Sequence, residues 1–562
     1  MADHIGKFFE HLLGIARAAP ATCRTLQDSQ ERAASAECGI VRGRAVYSFP
    51  TPYVSNPSAP AAPSSPETRQ VRASTGIAGL DNVLGGGLPR GHLYLVEGTP
   101  GAGKTTLGLQ FLLEGRENGE RGLYVTLSET ASELHTVAES HGWSLDGIDL
   151  FELVNEEGLS PSAEQSILYP AEVELGETTR DVMAAVERLA PTRVIFDSLS
   201  EMRLLAQDPL RYRRQILALK HFFASRECTV LLLDDKSSQG GDLQLHSIAH
   251  GVLALDQATG EYGPVRRHLR VVKMRGVRYR GGEHDVDLDT GGLQVYPRLI
   301  ASEHRTAFEA STAPTGTPAL DALLGGGLAR GSNTLFMGPS GVGKTTTAMS
   351  TVVAALHRGE KASYYLFDEG LGTLLHRCAS LGLPLEPFIA SGQLEVLSLD
   401  PAEMSPGQFS NMVRIAVQSR GSSIIVIDSL NAYLQAMPGA KFLLMQMHEL
   451  LSFLNQQGII TLLVLGQHGI IGDVRSDLDL SYLSDAIVLF RFFEARGQLL
   501  KAVSVVKSRT NRHELNIREF RLGDAGVEVG PALTDFEGVL GGVPAYRGAI
   551  PLLGDQSPFA RA

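Results

Sequence analysis

A chain of 562 residues is too long for one hydrophobic core, and a norm of about 150 residues per domain divides it into three or four units. With 43% hydrophobic and 20% charged residues it is neither disordered throughout nor a membrane protein. A net charge of −12 and a pI near 5.8 oppose nonspecific affinity for nucleic acid, which is not an expected partner.

Cys23, Cys38, Cys228 and Cys378 form no C-x-x-C pair, which argues against a zinc ribbon or a disulfide framework and fits a reducing cytoplasm. No apolar run reaches the ~18 residues of a membrane span, and the N-terminus lacks a charged-then-apolar signal. A cytoplasmic protein is expected.

Residues 1 to 70 stand apart. The stretch HIGKFFEHLLGIARA can gather Phe8, Phe9, Leu12, Leu13 and Ile15 on a helix face, and the Pro-, Ser- and Ala-rich SFPTPYVSNPSAPAAPSSPE follows it. This segment reads as a disordered or partly helical extension and linker. From about 74 the text alternates: HLYLVEG (strand), TTLGLQFLLEGREN (helix), GLYVTLS (strand), SELHTVAESHG (helix), RVIFDS (strand). NTLFMG, TTTAMSTVVAALHRG, ASYYLFD, LGTLLHRCASLG and SIIVIDS then repeat that order. Such alternation predicts an α/β fold with mostly parallel central sheets flanked by helices. The expected domains are 71–300 and 301–545, with a seam near 299–313 and a short flexible tail over 546–562.

STGIAGLDNVLGGGLPRGHLYLVEGTPGAGKTT returns as PTGTPALDALLGGGLARGSNTLFMGPSGVGKTT, the two loop lysines standing 240 residues apart. Each copy ends in a complete phosphate loop: Gly98, Thr99, Pro100, Gly101, Ala102, Gly103, Lys104, Thr105 and Thr106 in the first, and Gly338, Pro339, Ser340, Gly341, Val342, Gly343, Lys344, Thr345 and Thr346 in the second. The glycines permit a tight turn that aims backbone N–H groups at phosphate oxygens, and the lysine adds charge at the β- and γ-phosphates. Each following threonine opens a helix, placing a hydroxyl and a helix N-terminus at the anion. ATP and Mg²⁺ are the expected cofactors. The metal partners are Thr105 with Asp197, at the end of VIFDS, and Thr345 with Asp428, at the end of IVIDS.

Hydrolysis needs a group to orient or deprotonate water, and the strand after the loop helix is the place to seek it. The first copy offers Glu129 behind Ser128, and the second offers Asp368 and Glu369 side by side. Spacing alone does not choose within the adjacent pair, because neighbours on a strand face opposite ways.

The G-L-D-x-x-L-G-G-G-L block, the duplicated loops, the strand carboxylates and the segments VVKMRGVRYRGGEHDVDLDTGGLQVYP and VVKSRTNRHELNIREFRLGDAGVEV together resemble the KaiC family, clock ATPases of the RecA superfamily. The resemblance covers roughly 74 to 545 and implies two tandem RecA-like P-loop domains, a double-ring homohexamer with ATP at subunit interfaces, and both hydrolysis and slow autophosphorylation. By motif, Lys273 with Arg275 and Lys507 with Arg509 match the basic pair that reaches a neighbouring subunit's γ-phosphate, where a cation stabilises the transferring phosphoryl group. The family's glutamate pair falls on Ser128 and Glu129 in the first domain and on Asp368 and Glu369 in the second. A serine cannot serve as base near neutral pH without activation, so either Glu129 substitutes or the first ring turns over very slowly.

The family's autophosphorylation segment aligns with DLDLSYLSDAI. It places the acceptor serine on Ser481 and the neighbouring acceptor on Tyr482, whose oxygen lies too far from its backbone for a site shaped around a short hydroxyl. Asp485 matches an acidic neighbour of that motif. Little chain follows FEGVLGGVPAYRG, so a KaiA-type activator is not expected, whereas a KaiB-like or other signalling partner is. The reading is therefore a hexameric ATPase and serine autokinase. Its alternatives are a RecA- or RadA-like DNA-dependent ATPase and a nucleotide-sensing scaffold with little catalysis.

Overall fold

In both repeats the lysine of the phosphate loop is the first residue of a helix that follows directly on a buried strand. The computed structural model describes residues 71–153, 170–206, 208–236, 243–258, 263–435, 443–467, 481–495, 497–523, 526–541 and 545–546. The N-terminal extension and most of the tail lie outside them.

The first domain runs α1 (Ala78–Leu84), β1 (Leu93–Gly98), α2 (Lys104–Glu117), β2 (Gly122–Thr126), α3 (Ala131–Ser140), β3 (Ile148–Glu152), α4 (Pro170–Leu189), β4 (Arg193–Asp197), α5 (Leu199–Ala206), α6 (Pro209–Ala224), β5 (Thr229–Asp235), α7 (Leu243–Ile248), β6 (Gly251–Ala258), β7 (Arg266–Met274), β8 (Glu283–Asp289) and β9 (Gly292–Tyr296). Among the described residues these nine strands form one sheet in the order β9-β8-β7-β6-β1-β5-β4-β2-β3, beside a short two-stranded pairing of residues 72–73 with 88–89. From β3 to β6 the pairings are parallel, and β7, β8 and β9 extend the sheet as an antiparallel meander. Helices cover both faces, which is why β1, β2, β4 and β5 read as continuous apolar runs rather than alternating ones.

The second domain repeats the plan: α8 (Pro318–Leu323), β10 (Ser332–Pro339), α9 (Lys344–His357), β11 (Ala362–Leu366), α10 (Leu371–Ser380), α11 (Glu386–Ala390), β12 (Leu394–Ser398), α12 (Pro406–Gln418), β13 (Ile424–Asp428), α13 (Leu430–Gln435), α14 (Leu443–Gln456), β14 (Ile460–Gln467), β15 (Ala486–Ala495), β16 (Gln498–Ser508), β17 (Arg518–Gly523) and β18 (Gly526–Ala532). The strand order, β12-β11-β13-β14-β10-β15-β16-β17-β18, is that of the first sheet.

Local chemistry fixes the helix starts. Thr130 accepts from the Glu133 amide while Glu133 reaches back to the Thr130 amide, a capping box that begins α3, and Ser405 with Gln408 does the same for α12. Helix α2 buries Leu107, Leu109, Phe111, Leu112 and Leu113, apolar on nearly every side because it lies on the sheet's centre under α1 and the meander. A buried guanidinium locks its far end: Arg193, at the start of β4, pairs with Glu120 at 2.8 Å and donates to the Ser74 and Phe111 carbonyls at 2.7 and 2.8 Å.

The described residues belong to one compact unit. Within it the first domain's meander touches the second domain: Arg266 donates to the Ala402 carbonyl at 2.6 Å, and Asp285 accepts from the Gly407 amide in the first turn of α12 at 2.5 Å.

Candidate active sites

The glycines of the first loop meet different needs. Gly101 and Gly103 hold φ of 78° and 103°, in the left-handed region where a side chain is strained. At Gly98 the demand is space, since a Cβ there would stand 2.3 Å from the Leu255 carbonyl oxygen on β6. Lys104 Nζ donates to the Gly98 and Thr99 carbonyls, each at 3.2 Å, and pairs with Asp235 Oδ1 at 2.8 Å. Thr105 Oγ1 donates to Asp197 Oδ2 at 3.3 Å, and the same oxygen accepts from the Tyr124 hydroxyl at 2.6 Å. Burial raises the Asp197 carboxyl above its ordinary range, opposed by Tyr124, Lys104 and Thr105.

The second loop repeats this frame. Gly341 and Gly343 have φ of 76° and 119°, and a Cβ on Gly338 would lie 2.4 Å from the Phe490 carbonyl oxygen. Asp428 accepts from Tyr364 at 2.7 Å and from the Thr345 hydroxyl, and burial raises its carboxyl as well. Both aspartates are joined to the following serine, Ser198 or Ser429, by a cis peptide bond.

The lysines differ. Lys344 is buried, donates to the Pro339 carbonyl at 2.8 Å, and is pushed down to about 8 by burial, with Asp428 opposing. Strand register explains the contrast: Gly98 pairs with Asp235 on β5, whereas Gly338 pairs with Gly466 on β14. The acid that holds Lys104 has no counterpart there.

Among the candidate bases, Ser128 is exposed and Glu129 half-buried. Glu129 Oε2 is buried without a hydrogen-bond partner among the described residues, and burial, then Asp197 and Glu133, raise this carboxyl. In the second domain Asp368 is exposed and accepts from the Ser429 hydroxyl, while Glu369 pairs with Arg377 at 2.8 Å. Strand β11 ends at Leu366, so strict alternation no longer separates Asp368 from Glu369.

Lys273 lies in β7 opposite Val252, near the start of β6, and Arg275 follows the strand, whereas the loop residue Gly98 pairs with Leu255 farther along β6. The basic pair thus sits toward the end of the sheet away from its own phosphate loop. Lys273 donates to the His246 carbonyl and Arg275 to the Ser247 carbonyl. Lys507 donates to the Ser484 carbonyl at 2.7 Å, and Arg509 pairs with Asp485 at 3.7 Å. Asp485 also accepts from the Asn333 amide and the Asn455 side chain, a structural hub. Ser481 opens the turn Ser481–Leu483, its side chain lying outside the described ones, and Tyr482 is 50% exposed.

Sequence reasoning passed over Asp235, Arg377, Tyr124 and Tyr364. Both tyrosines stand at the same place in the repeat, two residues before the end of β2 or β11, and that coincidence was the available signal.

The model of the KaiC ATPase family matches the chain twice, over residues 73–300 and 313–534. The circadian clock protein KaiC3 of Synechocystis sp. is 26% identical over 84% of this chain and 95% of its own length. The circadian clock oscillator protein KaiC of Synechococcus elongatus is 26% identical over 84% of this chain and 91% of its own, and the circadian clock protein KaiC2 of Synechocystis sp. is 27% identical over 82% and 81%. Two phosphate loops on matching sheets, each beside a tyrosine-held aspartate, together with two family matches covering most of the chain, make this protein a member of the KaiC family of ATPases.

Proposed function

We propose that the protein is a homohexameric ATPase and serine autokinase that signals through its nucleotide and phosphorylation state. The observation that carries this reading is the asymmetry between two otherwise matching sites. The first has one base candidate, Glu129, and a lysine tied to Asp235; the second has Asp368, Glu369 and an untied lysine. Phosphoryl-transfer chemistry concentrates in the second domain and the first chiefly holds ATP.

Each site offers a carboxylate and a hydroxyl, Asp197 with Thr105 and Asp428 with Thr345. Oxygen donors in that number suit Mg²⁺ completed by phosphate oxygens and water, and the ion would offset charge on the phosphates. In hydrolysis, Asp368 takes the proton of a water whose oxygen attacks the γ-phosphorus as the bond to the ADP oxygen breaks. In autophosphorylation the Ser481 hydroxyl replaces that water, its proton passing to a carboxylate and ADP leaving. Lys507 and Arg509, toward the sheet end away from their own loop, act on a neighbouring subunit's phosphates, and a KaiB-like protein is the partner class in view.

Incubation with γ-labelled ATP and Mg²⁺ tests the reading. Label is expected in the folded wild type and lost in Lys344→Ala and Ser481→Ala. No label in wild type overturns the kinase half, full label in Ser481→Ala overturns the acceptor, and no phosphate release overturns the ATPase.

A further inference from the structure

Where the first domain's meander meets the second domain, a cavity of about 500 Å³ lies apart from both phosphate loops. Two arginines and a histidine from three elements line it: Arg280 from the turn between β7 and β8, His304 from the connector, and Arg414 from α12. Among the described residues no aspartate or glutamate lines it. Arg280 has an acid behind it, since its guanidinium pairs with Glu303 and donates to the Arg298 carbonyl at 2.9 Å. Among the described residues the hydrogen-bond partners of Arg414 are neutral, Asn411 at 2.7 Å and Gln418 at 3.0 Å. Burial first and the like charge of Arg280 second lower the pKa of Arg414.

Two guanidiniums bordering one partly dry space disfavour each other's charge, and an anion between them relieves that cost. Guanidinium forks match the oxygens of a phosphate in paired hydrogen bonds, and with Arg280 paired to Glu303 the uncompensated charge beside the cavity is that of Arg414. Ser410 and Asn411 supply neutral polar edges, Ile77 and Val295 supply apolar wall, and the volume is in the range of small-ligand sites. We propose that this cavity binds a small phosphorylated anion, held between Arg280 of the first domain and Arg414 of the second. Such a ligand would touch both domains of one chain at a place where neither phosphate loop reaches.

The test uses full-length Lys104→Ala/Lys344→Ala protein, so that loop binding is removed, and titrates it with pyrophosphate by calorimetry. Saturable binding of one pyrophosphate per chain is expected. Arg414→Gln should weaken it about tenfold or more and Arg414→Lys less, because a lone ammonium keeps the charge without the fork. Ser410→Phe, which fills the cavity from α12 and spares both arginines, should also abolish it. If the loop-deficient protein shows no saturable binding, or if binding survives both Arg414→Gln and Ser410→Phe, the assignment is wrong. Thermal melts of each variant separate lost binding from lost folding.

Discussion

Lys104 Nζ lies 2.8 Å from Asp235 Oδ1, and at the matching register of the other sheet Gly466 leaves Lys344 with no such acid. One loop sequence therefore rests in two electrostatic states. ATP entering the first site must draw Lys104 away from Asp235, whose side chain is 47% exposed, so the pair is worth at most about 1 kcal/mol. Asp235→Asn should tighten ATP binding at the first site by up to about fivefold. Equilibrium binding on a Lys344→Ala background isolates that site, and unchanged or weaker affinity there would count against a resting latch.

The second lysine gives a proton signature. With Lys344 at about 8 in the empty protein and 10.5 when unfolded, the unfolded chain binds more protons between those values, so this group's effect on stability becomes more favourable as pH rises through the window. ATP favours the ammonium form. Binding at the second site should take up a proton above about pH 8 and weaken as pH climbs. Calorimetry of Lys104→Ala in two buffers of different ionisation enthalpy measures the uptake, and a buffer-independent enthalpy at pH 8.5 to 9 would refute it.

Glu129 carries a raised carboxyl because burial, Asp197 and Glu133 disfavour its charge. The basic form is lost as pH falls through a value above the ordinary 4.5, and the acid limb of first-domain turnover should sit correspondingly high. Glu129→Gln should cut that turnover on the order of 100-fold. It also removes a charge the fold disfavours, so the variant should melt no lower than wild type at neutral pH. Steady-state rates on a Lys344→Ala background, with melting curves alongside, decide between a catalytic and a structural role.

In the second domain, Arg377 occupies Glu369 at 2.8 Å and leaves Asp368 near Ser429 as the open carboxylate. Asp368→Asn should lower second-site turnover by about two orders of magnitude. Arg377→Ala, which frees Glu369, should restore part of it in that background. Equal loss in Asp368→Asn with and without Arg377→Ala would show that Glu369 cannot stand in.

The legible part of the molecule was the part whose causes are local. Each loop residue answers a demand within a few positions of itself, a positive φ at Gly101 or a missing Cβ at Gly98, and the strands between are buried enough to be unbroken apolar runs. Two family matches agree with the fold read from that pattern. Asp235 was illegible because its meaning depends on β5 lying beside β1, a neighbour relation across 131 residues that no spacing encodes. The Asp285 to Gly407 contact spans 122 residues between the repeats and was beyond reach for the same reason. Tyr124 and Tyr364 stood between these extremes, visible in the repeat yet mute until their hydroxyls were seen on Asp197 and Asp428.

Strand β7 begins at Arg266, whose guanidinium holds the Ala402 carbonyl, and ends beside Lys273 and Arg275. Nine residues of extended chain measure roughly 30 Å. Paired along most of its length to β6 and over several residues to β8, that strand cannot stretch or fold to absorb a displacement. One hydrogen-bonded strand thus joins the Lys273 and Arg275 end of the first sheet to the Arg266–Ala402 contact with the second domain.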